Sequence, residues 1–160
     1  MRGMLRSAIV GLALAIVAIG ASAQQAKNPE IGTWKLNLDK SKYSPGPPPK
    51  SPTMLTMEAA GDGIKYSSKG VNAEGKATGV EYTAKYDGKD VPLTGSQLAN
   101  TISLKKVDAN TVQRVDKKDG KVVTTIRRVY SKDGKSFTAT IKGTNAKGEA
   151  VNNTLVYDRV

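Results

Sequence analysis

Apolar and polar side chains alternate along most of the chain after residue 23, and this period of two constrains the fold more than any other feature. Glycine-containing turns such as AAGDG, YDGK, KKDGK and NAKGE interrupt the alternation about every ten residues. The three- and four-residue spacing of an amphipathic helix is not sustained in this region. Because short turns join antiparallel neighbours, the pattern predicts an all-β fold, a single up-and-down antiparallel meander closing into a barrel.

The alternation divides into about ten candidate strands. They are Gly32–Leu38, Thr53–Ala60, Gly63–Lys69, Thr78–Tyr86, Lys89–Leu93, Thr101–Val107, Thr111–Lys117, Lys121–Tyr130, Ser136–Lys142 and Ala150–Arg159. Since successive side chains of a strand point to opposite faces, the phase also predicts an inward apolar set. That set is Trp34, Leu36, Leu38, Leu55, Met57, Ile64, Tyr66, Val80, Tyr82, Ala84, Tyr86, Ile102, Leu104, Phe137, Ala139, Ile141, Leu155 and Tyr157.

The first 23 residues have the features of a secretory signal peptide. Arg2 and Arg6 accompany the apolar run AIVGLALAIVAIG, and the small residues ASA at 21–23 fit a cleavage site. A membrane anchor is the alternative, but the run is short for a hydrocarbon core of ~30 Å. We therefore expect cleavage after Ala23 and a periplasmic or secreted protein without a membrane span. The mature chain then has a lead-in over residues 24–31 and one domain over residues 32–160.

The mature chain is strongly basic. Without Arg2 and Arg6 it has 23 Lys and Arg against 14 Asp and Glu, a net charge of about +9. Such a charge favours anionic partners, but the lysines lie mostly in turns, which is typical of a solvated surface. Nucleic-acid binding needs exposed aromatic side chains among the basic ones, whereas the tyrosines are predicted to face inward. We therefore expect a monomer that binds no specific nucleic acid.

The residue types limit the chemistry. With no histidine and no cysteine, the chain has no histidine or cysteine nucleophile system, no disulfide and none of the usual ligands for zinc, copper or haem. The glutamates at 58, 74, 81 and 149 are predicted at strand ends, in turns or on outward faces, which does not suit a catalytic carboxylate pair. We therefore expect no enzyme activity, no catalytic residue, no cofactor and no metal site.

Two stretches at opposite ends of the mature chain resemble a known family. GTWKL at Gly32–Leu36 resembles the first strand of the calycins, which include the lipocalins and the fatty-acid-binding proteins. DGKVVTTIRRVYSKDGK and NTLVYDRV resemble the last three strands of the fatty-acid-binding group. The resemblance implies a ligand cavity within a barrel, with Gly32 and Trp34 structural at the closed end. It also implies a carboxylate clamp, to which Arg128 and Tyr157 correspond, although the position of the second arginine holds Leu155.

Arg128 and the prolines leave alternatives open. Arg128 shares its strand face with Ile126 and Tyr130, so it is a candidate ligand anchor, but an arginine stacked on Trp34 or reaching solvent is the commoner case. Where fatty-acid-binding proteins have a helical lid, prolines forbid helix between residues 39 and 52. This proline-rich segment is predicted to be a stiff surface strap, a ligand cover or a docking site for a partner.

Two hypotheses follow. The first is an exported barrel that binds a small hydrophobic or amphipathic ligand, lined by Tyr66, Tyr82, Tyr86, Arg128 and Tyr157. The second is a barrel filled by its own side chains, which contacts another envelope component through basic turns or the proline-rich segment. Short inward residues such as Ala84 and Ala139 favour a void, but they also suit a tapered closed barrel.

Overall fold

A computed structural model describes residues 28–160, so the predicted signal peptide and the first part of the lead-in lie outside the described residues. The described chain forms eleven antiparallel strands and no helix. The strands are β1 (Gly32–Lys42), β2 (Ser51–Ala60), β3 (Gly63–Val71), β4 (Ala77–Thr78), β5 (Glu81–Lys85), β6 (Val91–Pro92), β7 (Thr101–Asp108), β8 (Thr111–Lys118), β9 (Lys121–Tyr130), β10 (Ser136–Thr144) and β11 (Ala150–Arg159). The predicted all-β fold is confirmed.

All eleven strands belong to one sheet in which nearly every strand pairs with its neighbour in sequence. The exception is the pairing of β1 with β11, which brings Trp34 opposite Arg159 and Leu36 opposite Tyr157. The sheet order is therefore β4-β3-β2-β1-β11-β10-β9-β8-β7-β6, with β5 also paired to β3. The sheet curls into a half-barrel with the apolar faces of its strands inside.

The two edges of the curled sheet meet through a few backbone hydrogen bonds. Glu81 and Thr94 exchange N–H···O bonds of 3.1 and 3.0 Å, and Gly88 N–H donates to the carbonyl of Leu104 at 2.9 Å. A second isolated bridge pairs Asp87 with Lys105. The seam between β5 and β6–β7 therefore has fewer backbone hydrogen bonds than the ladders between the long strands.

The strands differ most from the sequence prediction in three places. The predicted strand Thr78–Tyr86 is interrupted at Gly79 and Val80, because the Ser68 hydroxyl accepts the Val80 N–H at 3.0 Å and the ladder shifts there. The predicted strand Lys89–Leu93 shrinks to Val91–Pro92, where proline has no N–H to donate. β1 extends to Lys42 and β2 begins at Ser51. Within the predicted proline-rich segment 39–52, only residues 43–50 therefore lack strand structure. We call residues 43–50 the proline strap.

Most of the predicted inward set lies in the core, although Leu38, Val80, Tyr86 and Ile141 are only partly buried. The prediction missed several buried apolar residues, namely Leu93, Ala99, Val112 and Tyr130. It also missed the buried charges Glu30, Arg114 and Asp116, and it left the burial of Arg128 open. The interior is thus more polar than the apolar pattern indicated.

Candidate functional site

One end of the barrel is closed by the lead-in residues 28–31, Trp34, Arg159 and the turn around Gly134, and we call this end the base. Trp34 is fully buried and its Nε1 donates to the Glu30 carbonyl at 3.0 Å. The Arg159 guanidinium lies 4.0 Å from the Trp34 ring centroid. It also donates to the carbonyls of Pro29, Ile31 and Gly134 at 2.5–3.0 Å. Three chain segments are therefore joined at the base by one arginine.

Gly32 makes room for this arginine. Its φ of +146° is in a region that favours glycine, and a Cβ at this position would collide with Nη1 of Arg159. The arginine stacked on Trp34 is thus Arg159, on the last strand, and not Arg128, for which that placement was an alternative. Phe137 and Tyr130 meet the Trp34 ring edge-on, at 5.0 and 5.6 Å between centroids. Gly32 and Trp34 lie at the base, where the prediction put them.

Arg128 projects into the barrel and forms an ion pair there. Only 3% of the residue is exposed, and its Nη2 lies 2.9 Å from Oε2 of Glu30, which is fully buried. Tyr86 and Tyr130 donate to the same carboxylate at 2.6 and 3.0 Å. Burial disfavours the guanidinium charge, but Glu30 and nearby tyrosines outweigh it and raise the pKa of Arg128. Glu30 is thus the counter-ion of Arg128 inside the barrel.

The Glu30 carboxylate does not use all the donors of Arg128. Nε and Nη2 make no aligned hydrogen bond, so the contact of Nη2 with Glu30 is a close ion contact only. Nη1 has the thioether sulfur of Met57 at 3.7 Å, which is a weak acceptor. Buried donors are nearly always paired in folded proteins. Arg128 therefore has one buried N–H, that of Nε, without any partner.

A second buried ion pair lies on β8. Arg114 donates from Nε and Nη2 to the two oxygens of Asp116, at 2.5 and 2.8 Å. Its guanidinium lies 4.8 Å from the Tyr82 ring centroid, and Tyr82 stacks on Tyr66 with centroids 4.7 Å apart. Sequence reasoning missed this pair because alternating Val112, Arg114 and Asp116 looks like an outward face. The signal that could have found it is that the other face of β8 is no more apolar.

Two cavities share part of their lining. The inner cavity holds about 50 Å³ and is lined by Leu55, Tyr66, Arg114, Ile126, Arg128, Phe137, Ala139, Ile141, Leu155 and Tyr157. The larger one holds about 440 Å³ beneath the proline strap, at the end opposite the base, and we call it the mouth cavity. Tyr43 and prolines 45, 47 and 49 of the strap line it, together with the loops around Glu74 and Lys147. Leu155 and Tyr157 line both cavities.

The predicted ligand-binding residues divide between these places. Arg128, Tyr66 and Tyr157 line the inner cavity. Tyr82 lies behind Tyr66 with its buried hydroxyl unpaired, and half-buried Tyr86 bonds to Glu30 at the base, away from either cavity. The structure brings three of the five together and adds Arg114 and Leu155, which the prediction had not placed at the site.

Residues 28–160 contain no cluster of three acidic, histidine or cysteine side chains able to hold a metal ion. Within the same residues, no helix has the length and apolar character needed to cross a membrane.

Comparisons with known proteins identify the fold and no more. No family model matches the sequence, and no curated protein matches it. The zebrafish ileal bile acid-binding protein, solved in complex with cholic acid, matches the structure with a TM-score of 0.52. The match covers 82% of this chain and 99% of that protein at 14% sequence identity. The fold is that of the calycins. The half-barrel has a fatty-acid-binding-protein-like fold, which confirms the fold implied by GTWKL and the last strands.

Proposed function

We propose that the protein is exported and binds a small hydrophobic or amphipathic molecule in its barrel without transforming it. The observation that carries this proposal is the mouth cavity of about 440 Å³, which shares Leu155 and Tyr157 with the inner cavity and its buried polar groups. The inner cavity, at about 50 Å³, has room for little more than a polar end group, since a water occupies about 30 Å³. The apolar body of the ligand lies in the mouth cavity.

Support comes from two directions. The structural neighbour was solved with cholic acid, an amphipathic molecule, although the likeness itself concerns the fold. Both buried carboxylates of the described chain, Glu30 and Asp116, are engaged by arginines. Export is supported by the signal-peptide features of residues 1–23.

A second candidate function is an interaction protein with a self-filled barrel. It is favoured by the small inner cavity and by the stacking of Phe137 on Tyr157 at 4.7 Å, which fills the interior next to it. In that case the mouth cavity is a surface groove for a partner.

Native mass spectrometry of protein purified from its own host separates the two candidates. We expect a co-purifying small molecule that Nile red, a neutral fluorescent hydrophobe, displaces. Leu155→Trp should fill the junction of the two cavities and abolish Nile red binding, whereas Val122→Trp, at a residue 60% exposed, should leave it unchanged. A bare mass, no Nile red binding and no thermal shift with fatty acids or isoprenoids would leave only the second candidate.

Export has its own test. Expression of the full chain in an exporting bacterium, followed by intact-mass measurement of the extracytoplasmic fraction, should give a chain that begins at Gln24. Recovery of the uncleaved chain from the membrane fraction would favour the anchor instead.

A further inference from the structure

We propose that the ligand of the barrel is uncharged and carries a hydrogen-bond-accepting oxygen at its inner end, as in a long-chain alcohol, ketone or ester. This inference rests on the proposed function and names the ligand class. It contradicts the carboxylate ligand that Arg128 and Tyr157 implied by resemblance. Three features of the molecule support it.

First, the interior charges already cancel. Four charged residues are buried within residues 28–160, and they form the pairs Arg114–Asp116 and Arg128–Glu30. A ligand carboxylate entering beside Arg128 would bring a second negative charge next to Glu30 at low dielectric. Unpaired buried charge is strongly unfavourable, so the protein's own glutamate excludes the anion that its arginine would otherwise attract.

Second, Arg128 lines the inner cavity and has one donor, Nε, without a partner. Its Nε is buried and makes no hydrogen bond, whereas Nη2 contacts the Glu30 carboxylate at 2.9 Å. A neutral oxygen acceptor satisfies such donors without adding charge, and satisfying a buried donor removes the penalty of leaving it unpaired. The small volume of the inner cavity, about 50 Å³, fits a hydroxyl or carbonyl group.

Third, the lining of the entrance does not share the basic character of the whole chain, which carries a net charge of +11 over its 160 residues. The charged residues lining the mouth cavity are Glu74, Glu149 and Lys147, so carboxylates outnumber the ammonium group there. The strap adds the hydroxyl of Tyr43, which is buried and has no partner. The lining of the mouth cavity therefore has no excess of positive charge with which to attract a carboxylate.

Competition with Nile red at pH 8 tests the inference with 1-dodecanol and dodecanoate, which share one alkyl chain and differ at the end group. We expect dodecanol to bind. The affinity for dodecanoate should be lower by about tenfold or more. Glu30→Gln keeps a hydrogen-bonding side chain for Tyr86 and Tyr130 but removes the internal anion. In that variant dodecanoate should gain about tenfold in affinity, while dodecanol changes little.

Two further variants keep the test decisive. Glu58→Gln changes the net charge equally at an exposed residue of β2 and should leave both affinities unchanged. If Glu30→Gln does not fold, Asp116→Asn leaves Arg114 without its counter-ion and should give the same gain for dodecanoate. Wild-type protein that binds dodecanoate as tightly as dodecanol would overturn the inference and leave the proposed function intact. Failure of both molecules and of Nile red to bind would overturn the proposed function and the inference with it.

Discussion

The base and the mouth of this barrel are built on opposite principles. At the base, Arg159 bonds to three carbonyls and stacks on Trp34, and Glu30 receives Arg128 and two tyrosines. At the mouth, the hydrogen bonds of the proline strap lie at its ends, at Ser44 and Lys50. The prolines between them have no N–H to donate. We therefore expect the base to contribute most of the stability and the mouth to adapt its shape to a ligand.

The largest expected effect comes from removing the buried carboxylate of Glu30 at the base. Glu30→Ala should lower the free energy of unfolding by about 3–5 kcal/mol, because it leaves Arg128 charged and unpaired in the interior. Glu149→Ala, at the mouth, removes an exposed carboxylate whose partner is Asn145 and should have no measurable effect. Urea denaturation measures both. Equal losses would show that the two ends do not differ in stability.

Gly32 gives the next largest effect. Gly32→Ala should cost about 3 kcal/mol, because it places alanine at φ +146° and forces the Arg159 guanidinium off its carbonyl partners. Gly148→Ala is the matched control at the mouth, with φ +77° and open space around the added methyl. It should cost about 1 kcal/mol from backbone strain alone. If the two glycines cost the same in thermal denaturation, the collision with Arg159 contributes nothing.

The loss of folding stability at alkaline pH should also differ between a tyrosine of the base and a tyrosine of the mouth. Burial above all raises the pKa of Tyr130 at the base well above its ordinary value, whereas burial raises that of Tyr43 at the mouth less. A raised folded-state pKa stabilises the fold fully below the unfolded pKa of about 10 and progressively less above it. For the buried Tyr130 this loss is about 1.4 kcal/mol per pH unit above that point, up to its folded pKa.

Tyr130→Phe should reduce the loss of stability with rising pH above about pH 10, whereas Tyr43→Phe, at a partly exposed residue, should reduce it less. Denaturation at a series of alkaline pH values measures both slopes, independently of any offset at neutral pH. If the free energy of unfolding falls with pH at the same rate in wild type and in Tyr130→Phe, the raised pKa of Tyr130 does not contribute to the alkaline loss of stability.

The smallest effect concerns the strap. Replacing Pro48 and Pro49 with serine should lower the free energy of unfolding by about 1 kcal/mol, because the unfolded chain gains conformational freedom. It should also speed the dissociation of Nile red in stopped-flow experiments if the strap covers the ligand. Pro29→Ser is the control at the base and should leave that rate unchanged. An unchanged rate in the strap variant would remove the strap from ligand retention.

The fold could be predicted from the sequence because each strand carries its own alternation and each turn its own glycine. Leu55 and Met57, or Phe137 and Ala139, are inward by local pattern alone, and the structure buries them. The break at Gly79 depends instead on the hydroxyl of Ser68 on another strand, which no local pattern contains.

The candidate site was less predictable because its decisive contacts are between distant segments. The phase of β9 placed Arg128 with Ile126 and Tyr130, but only the fold shows that Glu30, which precedes the first strand, reaches it. Arg114 and Asp116 escaped detection because inward charges that neutralise each other look like a solvated face. Charge compensation inside a barrel is a tertiary property, and local sequence periodicity does not record it.

The pairing of β1 with β11 also determines when the base can form. Arg159 and the Ile31 carbonyl it binds are 128 positions apart, so this contact closes nearly the longest loop that the described chain allows. Closing long loops is entropically costly, and sheets of high contact order fold in milliseconds to seconds rather than microseconds. The local hairpins from β7 to β11 can assemble beforehand, whereas the base requires both ends of the chain. The most strongly bonded part of the native protein is therefore expected to be the last to form.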